Sequence, residues 1–208
     1  MLDAIVHYLS QPVHIIEAIA TITGLICVYL NARGNIWGWP VGILSVGLAV
    51  FVYYQSFLYS DFILHIIYVI LGFYGWYQWA YGGQSHSQLP ITRLGTSMWV
   101  LSIATGVAGL FILGWVFDTY TNASFAYWDA YTTSFSLVAQ FLLAKKKLGN
   151  WLVWIAVDLI AIGIYFAKEL YFFTFLYVGY LILAIYGYLE WKKIEQRQAG
   201  DVSTPIID

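Results

Sequence analysis

Asp129 is followed three, four, seven and eleven residues later by Thr132, Thr133, Ser136 and Gln140, all within an apolar run. On a helix that spacing lines them along one face. A basic turn, KKKLG, separates this run from a second one that opens at Asn150 and carries Trp151, Trp154, Asp158 and Tyr165 at comparable spacing. Leaving a hydroxyl or amide unpaired in an apolar medium costs roughly 2–7 kcal/mol, and a carboxylate costs more. Two facing stripes of hydroxyl, amide, carboxylate and indole groups suit recognition of a ligand with both a sugar and a flat ring. Indoles and phenols stack on the ring, while Gln, Asn and Asp read amide and hydroxyl groups.

A plainer role stands beside this one. Ser and Thr can bond the carbonyls of their own helix, so Thr132, Thr133 and Ser136 are equally readable as structural groups. Gln140 and Asp158 are harder to bury and point to function. Asp129 and Glu17 fall near helix ends, where solvent or an interface can satisfy them. His65 has no second ligand at helical spacing and reads as a structural imidazole. His7, His14 and His86 lie near ends or in loops, and Asn122 begins a glycosylation-like NAS triplet.

The elements that must position these groups are membrane helices. Hydrophobic residues make up 61% of the 208 and charged residues 10%, with a mean hydropathy of +0.73; soluble domains carry about a quarter charged residues. The sequence therefore reads as an all-α membrane protein and a single domain over residues 1–208. Seven apolar stretches, 13–31, 38–55, 61–80, 97–117, 127–144, 150–167 and 172–191, are long enough to span. Residues 1–14 read as a short surface helix, and the polar run after Trp191 as a frayed tail. Trp76, Trp79, Tyr81 and Trp191 read as an interfacial belt.

Seven spans put Arg33, Arg93, Lys145, Lys146, Lys147, Lys192, Lys193 and Arg197 on one side and leave Lys168 on the other. By the positive-inside rule the N-terminus faces out and the C-terminus lies in the cytoplasm. A gap-free shift of 112 residues aligns Glu17–Trp79 with Asp129–Trp191, with 19 of 63 pairs identical, among them Trp39/Trp151, Tyr53/Tyr165, Tyr68/Tyr180 and Trp79/Trp191. The expected fold is thus two parallel three-helix repeats, 13–81 and 127–192, joined by a linker helix at 97–117 (3+1+3). A solute site between the bundles follows. Asn35-x-x-x-Trp39 and Asn150-x-x-x-Trp154 echo each other at 115 instead of 112.

Several classes are excluded. A lone Cys27, no metal-ligand spacing, no HExxH and no Ser–His pairing argue against metal, cofactor and enzymatic chemistry. No Gly-rich phosphate loop is present to couple ATP, and a net charge of −2 argues against a nucleic-acid partner.

The strings NIWGWPVGILSV, FVYYQSFLYSDFILHIIYVILGFYGWYQW and YWDAYTTSFSLVAQFLLAKKKLGNWLVWIAVD resemble the PnuC family of bacterial nicotinamide riboside transporters over nearly the whole chain. The resemblance implies a SWEET-like fold, facilitated diffusion of nicotinamide riboside across the inner membrane, and a cytoplasmic kinase that traps the product by phosphorylation. It implies substrate contact at Trp39, Thr133, Ser136, Gln140, Asn150, Trp154, Asp158 and Tyr165, and also at Tyr74 and Gln78. Other members take other vitamins, so thiamine or riboflavin carriage, or a binding subunit of a larger importer, are the alternatives. Membrane lipid surrounds the chain on any of these readings, and the sequence leaves homo-oligomer formation open.

Overall fold

The structure, a computed structural model, describes residues 12–55, 59–121 and 125–203; side chains at 12–14, 17, 59–61 and 199–203 are outside the description. The expectations for residues 1–11, for His7, His14 and the Glu17 side chain, and for Asn122 therefore lie outside the described residues. Among the described residues there are seven α-helices: α1 Pro12–Ala32, α2 Gly38–Gln55, α3 Tyr59–Tyr81, α4 Thr96–Tyr120, α5 Ala126–Ala144, α6 Asn150–Ala167 and α7 Tyr171–Ser203. By length and composition five can cross a membrane: α2, Phe62–Tyr81 of α3, α4, α6, and Tyr171–Gln198 of α7. α1 offers the shorter apolar stretch Ala18–Ala32, and the polar stripe on α5 lowers the hydropathy of that helix.

One boundary departs from expectation. α7 runs on to Ser203 and does not fray after Trp191. The extension is rich in good helix formers, Ile194 packs on the core, and Glu195 holds Arg93 at 2.9 Å.

Helices α1, α2 and α3 pack in sequence, as do α5, α6 and α7; α1 then meets α7 and α3 meets α5. α4 lies along α5, where glycines let the helices approach. The backbone carbonyl of Gly106 accepts a 2.8 Å hydrogen bond from the Ser134 hydroxyl, and a Cβ at Gly106 or Gly114 would strike Phe135 or Tyr127.

The contacts recur at an offset of 112. Trp79 Nε1 donates to the Leu143 carbonyl at 3.0 Å, and Trp191 Nε1 donates to the Asn31 carbonyl at 3.0 Å. Trp39 meets Trp79 edge-on at 5.5 Å, and Trp151 meets Trp191 edge-on at 5.4 Å. Tyr74 stacks on Phe141, and Tyr186 on Tyr29. Gly75 and Gly187 are the positions where an added Cβ would hit Trp39 and Trp151. These pairs all follow the ungapped register, which matches Trp39 with Trp151; the 115-residue echo is not the one the packing follows.

Trp79 and Trp191 are thus not belt residues. They are 1% and 0% exposed, at the centre of a core with Ala32, Trp39, Leu143, Ala144, Leu148 and Trp151. Each indole N–H replaces water with a carbonyl from the opposite bundle. Trp76 and Tyr81, 39% and 55% exposed, keep the outward position.

The turns after α1 and α5 are built alike. Gly34 (φ 68°) and Lys146 (φ 52°) are left-handed. Their amides bond to Asn31 and Leu143, and the next amides bond to Leu30 and Leu142, a Schellman-type cap in each. The segment after α3 then docks on the second turn. Thr92 N–H bonds to the Lys146 carbonyl (3.2 Å), Leu148 N–H to the Thr92 carbonyl (2.9 Å), and Lys147 Nζ to Thr92 Oγ1 (2.8 Å).

Candidate functional site

An α-helix rises about 1.5 Å per residue, so Asn150 and Tyr165 lie about 22 Å apart along α6. One vitamin cannot touch both at once. The residues singled out in the sequence accordingly fall at three stations along the lengths of the helices.

At the end where α5 begins and α6 finishes, Asp129, Thr132, Ala161, Ile164, Tyr165 and Tyr177 enclose a chamber of about 20 Å³, room for about one water. Lys168 Nζ lies 3.1 Å from both Asp129 carboxylate oxygens, and Phe125 sits 5.7 Å beneath the ammonium. Tyr165 stacks on Tyr177 at 5.1 Å and on Phe173 at 5.3 Å.

Farther along, Ser136 is 8% exposed and donates back to the Thr132 carbonyl; the Tyr68 phenol lies within hydrogen-bond reach of it. Thr132 likewise bonds the Asp129 carbonyl at 2.9 Å. Both hydroxyls are thus satisfied by their own helix, which leaves Ser136 lone pairs for an incoming group. Thr133 and Gln140 are half-buried on the same helix. Asp158 is 3% exposed, its electrostatic neighbours are Tyr177 and Tyr180, and no described basic side chain pairs with it. His65 takes the position equivalent to Tyr177: it lies 4.5 Å from Tyr53 and 5.8 Å from Tyr68, a packing role.

The third station is the tryptophan block. Asn31 Oδ1, Trp39 Nε1, Asn150 Oδ1 and Trp151 Nε1 are buried with no hydrogen-bond partner among the described residues. Asn150 Nδ2 is held by the Lys147 carbonyl at 2.7 Å, and Asn31 Nδ2 lies 3.4 Å from Cys27 Sγ. Each half of the block therefore presents one amide oxygen and one indole N–H, at about 1–3 kcal/mol per unsatisfied group. Trp154 packs on the same block, half-buried.

Two expected contacts stand apart. Gln78 turns its carboxamide toward Gly82 at the end of α3, and Tyr74 is stacked on Phe141 with Lys145 Nζ 5.1 Å from its ring. A larger hollow of about 300 Å³ is lined by Phe73, Trp76, Tyr77, Ala80 and Tyr81. All five belong to the outer face of α3, so this hollow lies off the path.

The two bundles are built alike but furnished differently. Gln140, Asn150, Trp154 and Asp158 fall where the first repeat has Val28, Gly38, Gly42 and Val46. Asn31 reverses the pattern, matching Leu143. Tyr68, Tyr177, Tyr180 and Asn31 are neighbours of these groups that were not singled out from the sequence, whereas Trp151 stood in its stripe. The Tyr68/Tyr180 identity across the repeat was the signal that could have marked two of them.

Membrane-length helices with buried polar side chains among them suit a multi-pass membrane transporter, and the comparisons with known proteins give that class, not an enzyme. Residues 14–193 match the nicotinamide mononucleotide transporter family, and the chain belongs to that family. It is 31% identical over 202 residues to the riboflavin/roseoflavin transporter RibM of Streptomyces davaonensis, covering 94% of this chain and 92% of that one. The nicotinamide riboside transporters PnuC of Neisseria mucosa and of Escherichia coli are 26% and 25% identical. They cover 93% and 85% of this chain and 78% and 84% of theirs. A crystal structure of the vitamin B3 transporter PnuC superposes with a TM-score of 0.72 at 25% identity, covering 94% of this chain and 88% of that one.

Proposed function

We propose that the protein carries nicotinamide riboside inward across the bacterial inner membrane by alternating access, without ATP. All seven helices span, in a 3+1+3 order, with the N-terminus outside and the C-terminus in the cytoplasm. The α5 stripe is polar because it faces the path, which is why that helix falls short on hydropathy alone. The basic residues around Arg33, Arg93, Lys145–Lys147 and Lys192–Lys193 support the orientation. Two bundles whose contacts repeat at 112 residues are related by an axis along the membrane normal, and rock about it. Phosphorylation by a cytoplasmic kinase makes uptake one-way.

The observation that carries this reading is the one-sided furnishing of the path. Gln140, Asn150 and Asp158 stand against Val28, Gly38 and Val46, so a single asymmetric solute is recognised chiefly by the second repeat. Thr133, Ser136, Trp154 and Tyr165 complete the contacts, taken in turn as the solute moves, with Trp39 contributed by the first repeat. Asp158 favours the positive ring. Riboflavin is the second reading, favoured by the 31% identity to RibM; it also joins a flat ring to a hydroxylated chain.

Calorimetry of the purified chain against nicotinamide riboside, thiamine and riboflavin, followed by uptake into liposomes without ATP, tests both. Micromolar riboside binding with uptake is expected. Tight riboflavin binding with none to the riboside exchanges the substrate, and binding without uptake returns the chain to a subunit of a larger importer.

A further inference from the structure

Lys146 occupies a position that ordinary packing would give to glycine. Its repeat counterpart, Gly34, adopts the same left-handed turn with φ 68° against 52°, and at Gly34 no side chain has to be accommodated. Lys146 is 8% exposed and holds Nζ 4.5 Å over the Trp79 ring. No described acid pairs with it. The surrounding charges are otherwise engaged. Arg93 of the connecting segment holds Glu195 of α7, Lys193 holds Glu190, Lys147 bonds Thr92, and Lys145 lies over Tyr74 of α3.

The other seam differs. At Gly34 the neighbouring side chain is Ile194 of α7, whose counterpart is Gly82 just past α3. One seam is thus closed by an aliphatic side chain lying over a glycine. The other is closed by a lysine brought in over a tryptophan. A cation facing an indole is favourable, but an ammonium taken out of water without a counter-ion loses more than the ring returns. Consistent with that balance, burial pushes the amine down to about 8.

Building on the alternating-access reading, we propose that Lys146 is a positioning residue that loads the closed α3–α5 seam, so that the inner mouth opens there first, as the ammonium regains water. The α1–α7 seam, with Trp191 bonded to Asn31 and no buried cation among the described residues, acts as the fixed side. Charge on Lys146 then sets the rate of opening and leaves solute affinity untouched.

The test compares Lys146→Met and Lys146→Gly with Lys146→Arg in proteoliposomes. Methionine keeps the length of the side chain, and glycine restores the residue that the turn prefers, so neither variant is a folding risk. Each unit of pKa depression corresponds to a tenfold bias, so uptake Vmax is expected to fall about tenfold or more in both neutral variants, with KM and binding unchanged. Arginine keeps the wild-type rate. Raising luminal pH from 7 to 9, on the cytoplasmic-facing side, slows the wild type and not Lys146→Met. In a Cys27→Ala background, a cysteine probe introduced as Leu143→Cys reacts more slowly with an impermeant thiol reagent when Lys146 is Met. Wild-type Vmax with a wild-type pH profile in Lys146→Met overturns the proposal. No riboside uptake by the unmodified chain instead fails the transport reading on which it rests.

Discussion

The Trp79 indole N–H reaches the Leu143 carbonyl at 3.0 Å, joining α3 of one bundle to α5 of the other. Its image, Trp191 to Asn31 at 3.0 Å, joins α7 to α1. An interface in which residue i meets j while the counterpart of j meets the counterpart of i is isologous within one chain. Each carbonyl also accepts the amide of the left-handed residue that caps its helix, Lys146 on Leu143 and Gly34 on Asn31. The indole N–H is thus a second donor to an oxygen that has two lone pairs, and it finds a partner of its own inside an apolar core.

Trp79→Phe and Trp191→Phe should each cost about 0.5–1.5 kcal/mol, the net worth of the one hydrogen bond each removes, on top of the packing lost with the smaller ring. Thermal unfolding in detergent should show two drops of similar size, with Trp79→Phe also exchanging the indole face beneath Lys146 for a smaller phenyl ring. A loss confined to one of the two variants would show that the seams are not energetic counterparts.

Glycine positions separate packing from propensity. A Cβ at Gly187 would lie 2.7 Å from the Trp151 ring, whereas Gly47 and Gly163 have nothing within 4 Å. Gly187→Ala should destabilise by about 1–3 kcal/mol through overpacking. Gly47→Ala and Gly163→Ala should be neutral or gain up to about 1 kcal/mol from helix propensity. Unfolding midpoints of the three variants decide this.

How much of this could be read in advance follows from what each pattern encodes. Hydropathy and polar punctuation place α2 and α6 to the residue, since Gly38 and Asn150 start runs of 18 that stop at Gln55 and just before Lys168. The 112-residue identity anticipates which tryptophans meet. It does not say that Trp79 and Trp191 turn inward, because an indole reads alike in a belt and in a core; the difference is a carbonyl partner 64 or 160 residues away. A helical stripe gives direction, not depth, and so Asn150 and Tyr165 stand in one list of expected contacts although nearly the whole length of α6 separates them. Gln78 shares the α3 sequence with Trp79 but lies one position round, toward Gly82.

Asp158 and Gln140 are the residues to remove one at a time. Asp158→Asn replaces a buried carboxyl group, which no described cation pairs with, by an amide of the same shape, so folding should be unharmed while affinity for a cationic ring falls at least about tenfold, or 1.4 kcal/mol. Gln140→Leu takes the residue type toward Val28 of the other bundle and should weaken binding to a similar degree. Calorimetry against nicotinamide riboside reads both. Wild-type affinity in the two variants would move the recognition site elsewhere on the path.

The Asp129–Lys168 pair, with side chains 31% and 28% exposed, closes the chamber at the far end. Partial exposure limits its contribution to about 0–1 kcal/mol. A double-mutant cycle with Asp129→Asn and Lys168→Met should give a coupling in that range that vanishes in high salt. The first repeat has Ser56 where the second has Lys168, so this closure too belongs to one bundle.

Lys146 gives the clearest dependence on pH. Its amine is pushed from 10.5 down to about 8 by burial, so between those values the unfolded chain binds the proton and the folded chain does not. Stability must then rise with pH across that window, and below about 8 both states are protonated and the contribution is flat. The full span corresponds to about 3 kcal/mol, from which the attraction to the Trp79 face, about 1–2 kcal/mol, is to be subtracted. Chemical unfolding at pH 7.5 and 10 should show wild type gaining on Lys146→Met, whose residue 146 cannot titrate, as pH rises. At the lower pH Lys146→Met should be the more stable chain, because its thioether fills the same space over Trp79 without a charge. A constant difference between the two proteins across this range would mean that the ammonium is hydrated in the closed seam, and that the left-handed turn at residue 146 has a cause other than the burial of its charge.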